Sequence, residues 1–217
     1  MEGPIITEDG SHSLVSPLFN QQYHSLQGAL VESIHIYINL GIKSFINDLT
    51  TISIFEMGFG TGLNALLSWK LADELKIKIN YTTVEAFPIS PEIAATLNYE
   101  ILAQKTGLME LHTCPWSESI PLSPYFCFQK EKAKLEDLKI TQCFDVIFYD
   151  AFDPRAQPEL WTSEIFSKIA AHTNTGGVLV TYSSKGIVKR ALAQAGFTVT
   201  RQKGPGRKTH VLKATKN

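Results

Sequence analysis

Three acidic side chains and one glycine-rich turn have the residue types and spacing to do chemistry. The turn is Glu56-Met57-Gly58-Phe59-Gly60-Thr61-Gly62-Leu63-Asn64, joining a short apolar run to an apolar helical stretch. Glycines at alternate positions tolerate positive φ and let a ligand lie on bare backbone. The spacing G-x-G-x-G differs from the dinucleotide pattern G-x-G-x-x-G, which disfavours a pyrophosphate. Glu56 beside the ligand favours a cationic group, and S-adenosylmethionine carries both an ammonium and a sulfonium. Glu85 closes Thr82-Thr83-Val84-Glu85, where a carboxylate can accept both hydroxyls of a ribose. Asp150 closes the run Phe144-Asp145-Val146-Ile147-Phe148-Tyr149. A carboxylate there can hold an incoming amine and aim its lone pair at a methyl donor. Each group also has a plainer reading: a turn that only packs a helix on a sheet, an exposed strand-end acid, and a helix-capping acid.

The elements that must position these groups alternate. Strands are expected over 52–57, 79–85, 144–149 and 178–182, with helices over 62–75, from 90 to about 105, over 162–172 and over 185–195. Two further strands, 197–202 and 210–214, flank Gly204-Pro205-Gly206 and form an antiparallel hairpin at one edge. This pattern predicts an α/β fold, a parallel sheet covered on both faces and of the mononucleotide-binding kind. Asp150 then falls at the carboxyl edge of the sheet, where such folds bind ligands. Tyr182, Lys185 and Gly186 follow the next strand and rim the same cleft, although Lys185 equally reads as a helix-start charge. Asp153 reads as a structural acid and Trp161 as core. Ahead of the sheet, Asp9-Gly10 between apolar runs predicts a hairpin, and helical spacing over 22–40 predicts a helix ending at Gly41. The expected organisation is an N-terminal hairpin and helix over 1–45 packed on a Rossmann-like domain over 46–217. Residues 113–143 show weak periodicity.

Composition bounds the rest. The 217 residues are 44% hydrophobic and 19% charged, ordinary for a globular chain. No run of eighteen apolar residues occurs and the N-terminus has no apolar signal core, so neither a membrane span nor secretion is expected. Cys114, Cys127 and Cys143 lack paired or metal-type spacing, and the histidines form no H-x-x-x-H pair. Reduced thiols, a cytoplasmic location and no metal follow as expectations. The net charge of −1 hides an asymmetry. Residues 1–164 hold all 21 acids and 10 of the 20 Lys and Arg, a balance of −11, whereas 165–217 hold the other 10 basic residues and no acid. A basic surface built from the last quarter of the chain suits a polyanion; the alternative is a solvated face balanced in space by the acidic half.

Taken together, Gly58-Phe59-Gly60-Thr61-Gly62-Leu63-Asn64, Asp150-Ala151-Phe152-x-Pro154-x-x-Gln157-Pro158-Glu159-Leu160-Trp161, Thr181-Tyr182-Ser183-x-Lys185-Gly186 and Gly204-x-Gly206-Arg207-Lys208 resemble the methyltransferase domain of the MnmC family, whose standalone form is called MnmD. Asp9-Gly10-Ser11 and Tyr23-His24-Ser25-x-x-Gly28-Ala29-x-x-Glu32-Ser33 extend the likeness to the front. The resemblance implies a class I S-adenosylmethionine-dependent enzyme that methylates the amine of 5-aminomethyl-2-thiouridine at the tRNA wobble position. It implies cofactor contacts from Glu56, Gly58, Gly60, Thr61, Gly62, Leu63, Asn64, Glu85 and Asp150, with Asp150 also orienting the amine. Tyr23, Glu32, Tyr182 and Lys185 would meet the acceptor base, with Phe152 and Pro154 as its wall. Lys189, Arg190, Arg201, Lys203, Arg207 and Lys208 would meet the anticodon arm. A functional link to the enzymes that install the aminomethyl group upstream is also implied. At the end of the third strand, where relatives place an acid near the cofactor's adenine, the alignment puts Lys134. The nearest competing activity is aminopropyl transfer of the spermidine-synthase kind, which shares the fold and an amine nucleophile. A non-catalytic RNA- or cofactor-binding protein is the other alternative.

Overall fold

The computed structural model describes residues 3–46 and 50–217. Two short antiparallel hairpins come first: β1 (Ile5–Ile6) with β2 (His12–Ser13), turning at Asp9-Gly10, and β3 (Val15–Ser16) with β4 (Gln21–Gln22). The second hairpin occupies the start of the stretch expected to be helical. The helix therefore begins seven residues later, as α1 (Ala29–Ser33), and continues as a π-helix over Ile34–Lys43. Wider π-turns are rare and concentrate at functional sites; this one carries Tyr37 toward the cleft described below.

The central sheet is built from β5 (Thr51–Met57), β6 (Lys78–Val84), β7 (Ile120–Ser123), β8 (Phe126–Glu131), β9 (Phe144–Tyr149), β10 (Thr173–Thr181), β11 (Phe197–Lys203) and β12 (His210–Lys216). Its order is β11-β12-β10-β9-β5-β6-β8-β7. The five central strands β10, β9, β5, β6 and β8 run parallel. β12 pairs antiparallel with both β10 and β11, so the C-terminal hairpin closes one edge with β11 outermost. The opposite edge is a second hairpin, β7 with β8, from the stretch of weak periodicity. The reason is chemical. β8 ends Gln129-Lys130-Glu131, and Lys130 is fully buried, its ammonium donating to the carbonyls of Leu111 and His112. A strand ending in three polar residues does not look like one.

Helix α2 (Leu63–Leu75) follows β5, and α3 (Pro91–Ala94), α4 (Tyr99–Ala103) and α5 (Leu108–Thr113) follow β6. Helices α6 (Ser163–Ala171) and α7 (Gly186–Gln194) follow β9 and β10. The single helix expected from 90 to about 105 is interrupted between α3 and α4. Asn98 sits at the break, where its side chain accepts from His12 N–H at 2.9 Å and donates to the Gly10 carbonyl at 2.9 Å. Similarly, Gly176-Gly177 interrupts β10 as a bulge rather than preceding it, and the strand begins at Thr173.

Two apolar layers sandwich the sheet. One joins α2, α4 and α5 to the N-terminal segment through Leu14, Ala29, Ile36, Tyr37 and Ile42. The other joins α6 and α7 to β9, β10 and β12 through Phe166, Ile169, Val188 and Leu192. Burying these side chains is the main force that fixes the strand ends over the cleft. Among the described residues no helix is long and apolar enough to cross a membrane, and Cys114, Cys127 and Cys143 are free thiols.

Candidate active site

A cleft of about 500 Å³ opens over the carboxyl ends of β5, β6 and β9. The turn after β5 forms its floor. Gly58 has φ +92, and a Cβ there would lie 2.7 Å from the Asp150 carbonyl oxygen; Gly60 has φ +50, and its Cβ would lie 3.0 Å from the Tyr23 ring. Both positions thus require glycine on conformation and on space, and both present backbone to the cleft. Thr61 is clamped from two directions: His24 Nε2 lies 2.8 Å from its hydroxyl, and His112 Nε2 donates to its carbonyl at 3.1 Å. Burial pushes both imidazoles down to about 4, so they act as neutral hydrogen-bonding groups.

Glu85, at the end of β6, accepts the Gly60 N–H at 2.9 Å and the Phe87 N–H at 2.8 Å. Burial raises its proton affinity and these amides oppose the rise. Asp150, at the end of β9, is held by two side chains. Its Oδ1 accepts the Tyr37 hydroxyl at 2.6 Å and its Oδ2 accepts Asn64 Nδ2 at 2.9 Å. The same Asn64 amide donates to Glu56 Oε1 at 3.1 Å. Two carboxylates therefore share one amide. Burial pushes Asp150 up to about 7; burial and then the Asp150 charge push Glu56 up to about 8. Carboxyls displaced in this way concentrate at functional sites.

Above the floor stands an aromatic wall. Phe152 contacts Phe19 (ring centroids 5.0 Å apart) and Tyr23 (5.1 Å), and Phe19 contacts Phe87 at 5.7 Å. Tyr182 also lines the cleft, its hydroxyl donating to the Ala151 carbonyl at 2.9 Å.

The structure brings Tyr23, Glu32, Gly58, Gly60, Thr61, Leu63, Asn64, Glu85, Asp150, Phe152 and Tyr182 to this cleft. Glu56 and Gly62 lie beneath it: Glu56 is buried under Asn64, and Gly62 packs against Phe59 and His112. Four expectations need correction. Pro154 is buried and does not line the cleft, and Phe19 with Tyr23 and Phe87 completes the wall instead. Lys185 is engaged by Asp153, with Nζ at 2.6 and 2.7 Å from its carboxylate oxygens, because the Asp-Pro loop passes directly over the α7 start. Lys208 does not face outward. It pairs with Glu32 at 2.6 Å and lines the cleft, because the β11–β12 loop folds back over α1. Finally, the third strand ends at Glu131, three residues before Lys134, and that carboxylate accepts from Ser117 at 2.6 Å and Gln129 at 2.7 Å. Tyr37, His24, Phe19 and Phe87 were not legible as site residues. Only Tyr23-His24-Ser25, within the family resemblance, hinted that the N-terminal segment enters the cleft.

S-adenosylmethionine fits the groups present. Glu56 Oε2 and Asn64 Oδ1 are buried with no hydrogen-bond partner among the described residues. The turn leaves backbone bare where a Cβ would intrude. Of the acids that line the cleft, Glu32 is paired with Lys208 and Asp153 with Lys185, whereas Glu85 and Asp150 have no cation partner among the described residues, a balance that repels phosphate and suits a cation. Sheet order, glycine turn and strand-end acids define a class I S-adenosylmethionine-dependent methyltransferase. A family profile described as S-adenosyl-L-methionine-dependent methyltransferase matches residues 92–217, and the chain belongs to that family. Over 218 residues it is 32% identical to the tRNA 5-methylaminomethyl-2-thiouridine biosynthesis bifunctional protein MnmC of Nitrosospira multiformis, covering 92% of this chain and 34% of that protein. The chain thus spans about a third of the length of that curated relative. Among solved structures, MnmC2 from Aquifex aeolicus matches with a TM-score of 0.79 at 26% identity, over 99% of this chain and 70% of that one. Spermidine synthase from Thermotoga maritima matches with a TM-score of 0.56 at 14% identity, over 94% of this chain and 68% of that one, a likeness of fold.

Proposed function

We propose that this protein methylates the amine of 5-aminomethyl-(2-thio)uridine at the wobble position of tRNA, giving 5-methylaminomethyl-(2-thio)uridine. The observation that carries the reading is the Asp150 carboxylate. It is held by Tyr37 and Asn64 at the end of β9, next to the glycine turn and beside an aromatic wall of Phe152, Phe19 and Tyr23. The likeness to the Nitrosospira tRNA 5-methylaminomethyl-2-thiouridine biosynthesis protein supports the nucleoside and the tRNA.

The cofactor supplies a methyl group already activated by its sulfonium, so the protein's task is to position and desolvate. Gly58, Gly60 and Thr61 seat the methionine part, with Glu56 and Asn64 beneath it; Glu85 accepts the ribose hydroxyls. Phe152, Tyr23 and Phe19 receive the flat base and exclude water. Asp150 accepts an N–H of the substrate amine and aims the lone pair. An alkylammonium has no lone pair, so the rate rises with pH as Asp150 ionises and the amine becomes neutral. The wobble base lies in a loop and can splay into such a pocket, as single-stranded RNA bases commonly do. Arg201 and Lys203 on the outermost strand, with Arg190 and Arg207, stay exposed and meet the phosphates of the anticodon arm. Lys189, one residue before Arg190 on α7, is half-buried. Acting on tRNA, the protein works in the cytoplasm, downstream of the enzymes that install the aminomethyl group.

An acidic cleft would also receive a polyamine, which keeps aminopropyl transfer as the second reading. Three assays separate the readings: calorimetric titration with S-adenosylmethionine, methyl transfer to tRNA carrying 5-aminomethyl-2-thiouridine, and aminopropyl transfer from decarboxylated S-adenosylmethionine to putrescine. Methylation of that tRNA, with no aminopropyl transfer, is the expected result. Tight cofactor binding with neither activity would refute the proposal.

A further inference from the structure

A cleft built for an amine has no obvious use for a lysine, yet Lys208 lies in it. The loop that carries Lys208 is strapped to the N-terminal segment. The Arg207 amide donates to Gln27 Oε1 at 3.1 Å, and His35 Nε2 lies 2.7 Å from the Lys203 carbonyl. At the inner end of the strap, Lys208 Nζ donates to Glu32 Oε1 at 2.6 Å and lies 4.8 Å above the Tyr182 ring. Glu32 is held from behind, its Oε2 accepting the Ser25 N–H at 3.1 Å. The pair is largely shielded from solvent, where charges act over longer distances than on a surface.

The groups facing Asp150 come from every surrounding element: Glu32 from α1, Tyr37 from the π-helix, Glu56 from β5, Asn64 from α2, Asp153 from its own loop, Tyr182 from the end of β10, and Lys208. Of the three acids, Asp153 is paired with Lys185 and Glu32 with Lys208, so Lys208 is the cation set against the acid nearest the strap. Glu32 raises the proton affinity of Asp150 and Lys208 lowers it. Burial and the Glu32 charge push Asp150 toward its neutral form, in which one oxygen no longer accepts; the Tyr37 and Asn64 hydrogen bonds and the Lys208 charge oppose them.

We infer that Lys208, through its pair with Glu32, is a positioning residue that favours the ionised form of Asp150, able to accept from the substrate amine, near neutral pH. Its value for catalysis rests on the proposed function, whereas its electrostatic role does not. The strap also joins the basic outer edge of the sheet to the inner acid, so the element that meets the polyanion is the one that tunes the cleft.

The test uses the whole protein with carbon-13-labelled aspartate, the Asp150 carboxyl signal being assigned by its loss in Asp150→Asn. Lys208→Met is expected to raise the Asp150 titration midpoint by about half a pH unit or more, and Glu32→Gln to lower it by a similar amount, the size of a nearby-charge effect in a partly shielded site. The double variant should return near the parent, and Lys208→Arg should leave the midpoint in place. The acid limb of the methyl-transfer rate against pH should move in the same directions. Midpoints that stay put, or that move the same way in both single variants, would overturn the inference and leave Lys208 as a strap alone. Midpoints that move as expected under an unmoved rate profile would uphold the electrostatic role and overturn the catalytic reading of Asp150. Thermal unfolding of each variant, with Lys208→Arg as the folded control, separates these outcomes from loss of fold.

Discussion

Asp150→Asn is expected to slow methyl transfer severely and, at alkaline pH, to make the protein more stable. In the fold Asp150 is buried enough to titrate at about 7 instead of 3.8, and burial is the leading cause, opposed by the Tyr37 and Asn64 hydrogen bonds. A carboxyl whose folded value is raised binds its proton more tightly in the folded chain than in the unfolded one. Stability is therefore lost as pH rises from the unfolded value toward the folded one, and the loss levels off above about 7. At 1.36 kcal/mol for each unit of difference, the cost of ionising Asp150 grows from under 1 kcal/mol near pH 4 to about 4 kcal/mol at pH 8. Asparagine keeps the shape and never ionises, so it removes this cost. It also gives up part of the pairing with Tyr37 and Asn64, worth about 1 kcal/mol or more, and a net gain of about 1–3 kcal/mol at pH 8 remains.

Urea unfolding at pH 4.5, 6 and 8 measures the difference directly, since the slope with denaturant should be unchanged and only the midpoint should move. Single-turnover methyl transfer with the same variant should fall by roughly 10²–10⁴, the range for a positioned acid–base group. A variant that is destabilised by the same amount at every pH would mean that Asp150 folds as an ordinary ionised acid, and the account of the cleft floor would be wrong. Unchanged single-turnover rates would make Asp150 a structural residue.

Gly60→Val must place a branched Cβ at φ +50, against Tyr23 at 3.0 Å, and Glu85→Ala removes the acceptor that holds the turn amide. Both should weaken S-adenosylmethionine binding at least tenfold by calorimetry, and unchanged affinity in both folded variants would refute the cofactor assignment. His24→Ala frees one side of Thr61 and should weaken the cofactor by a smaller factor, about three- to tenfold for one buried hydrogen bond; hydrogen exchange at the turn amides should rise with it. Arg201→Glu with Arg207→Glu, both exposed, should weaken cognate and non-cognate tRNA alike. The salt slope should flatten by about 0.7–0.9 log units for each phosphate no longer neutralised, with cofactor affinity intact; tRNA affinity insensitive to salt would leave the basic quarter a solvated face.

The parts of the fold that were legible in the sequence are those where local pattern and burial agree. Phe144–Tyr149 is apolar at almost every position because β9 is covered on both faces, and α6 and α7 differ from their expected spans by a residue at each end. The illegible parts are those where a polar group is satisfied by something distant. Lys130 hides β8 because its partners are the carbonyls ending α5, and Asn98 divides a helix because its partners are in the first hairpin. Lys134, placed at the strand end by the family resemblance, lies three residues beyond it, because β8 ends at Glu131.

The cleft followed the same division. Strand-end acids and turn glycines could be named because topology alone brings them to one edge. Tyr37, His24 and Lys208 could not, since each reaches the site from outside the sheet, through a π-helix, a loop after a two-residue strand, and a hairpin loop folded back over α1. These three additions surround the parts of the cleft that the sheet leaves open: the oxygens of Asp150, the hydroxyl of Thr61 and the carboxylate of Glu32. A bare sheet of this order has a cofactor turn but no ceiling. Removing residues 3–28 would therefore be expected to strip Thr61 and Gly60 of their packing and to abolish cofactor affinity, even if the sheet still folded. Calorimetric titration of the shortened chain, with circular dichroism to confirm the sheet, checks this; cofactor affinity equal to the parent's would refute it. The N-terminal segment is thus part of the active site rather than a cover over it.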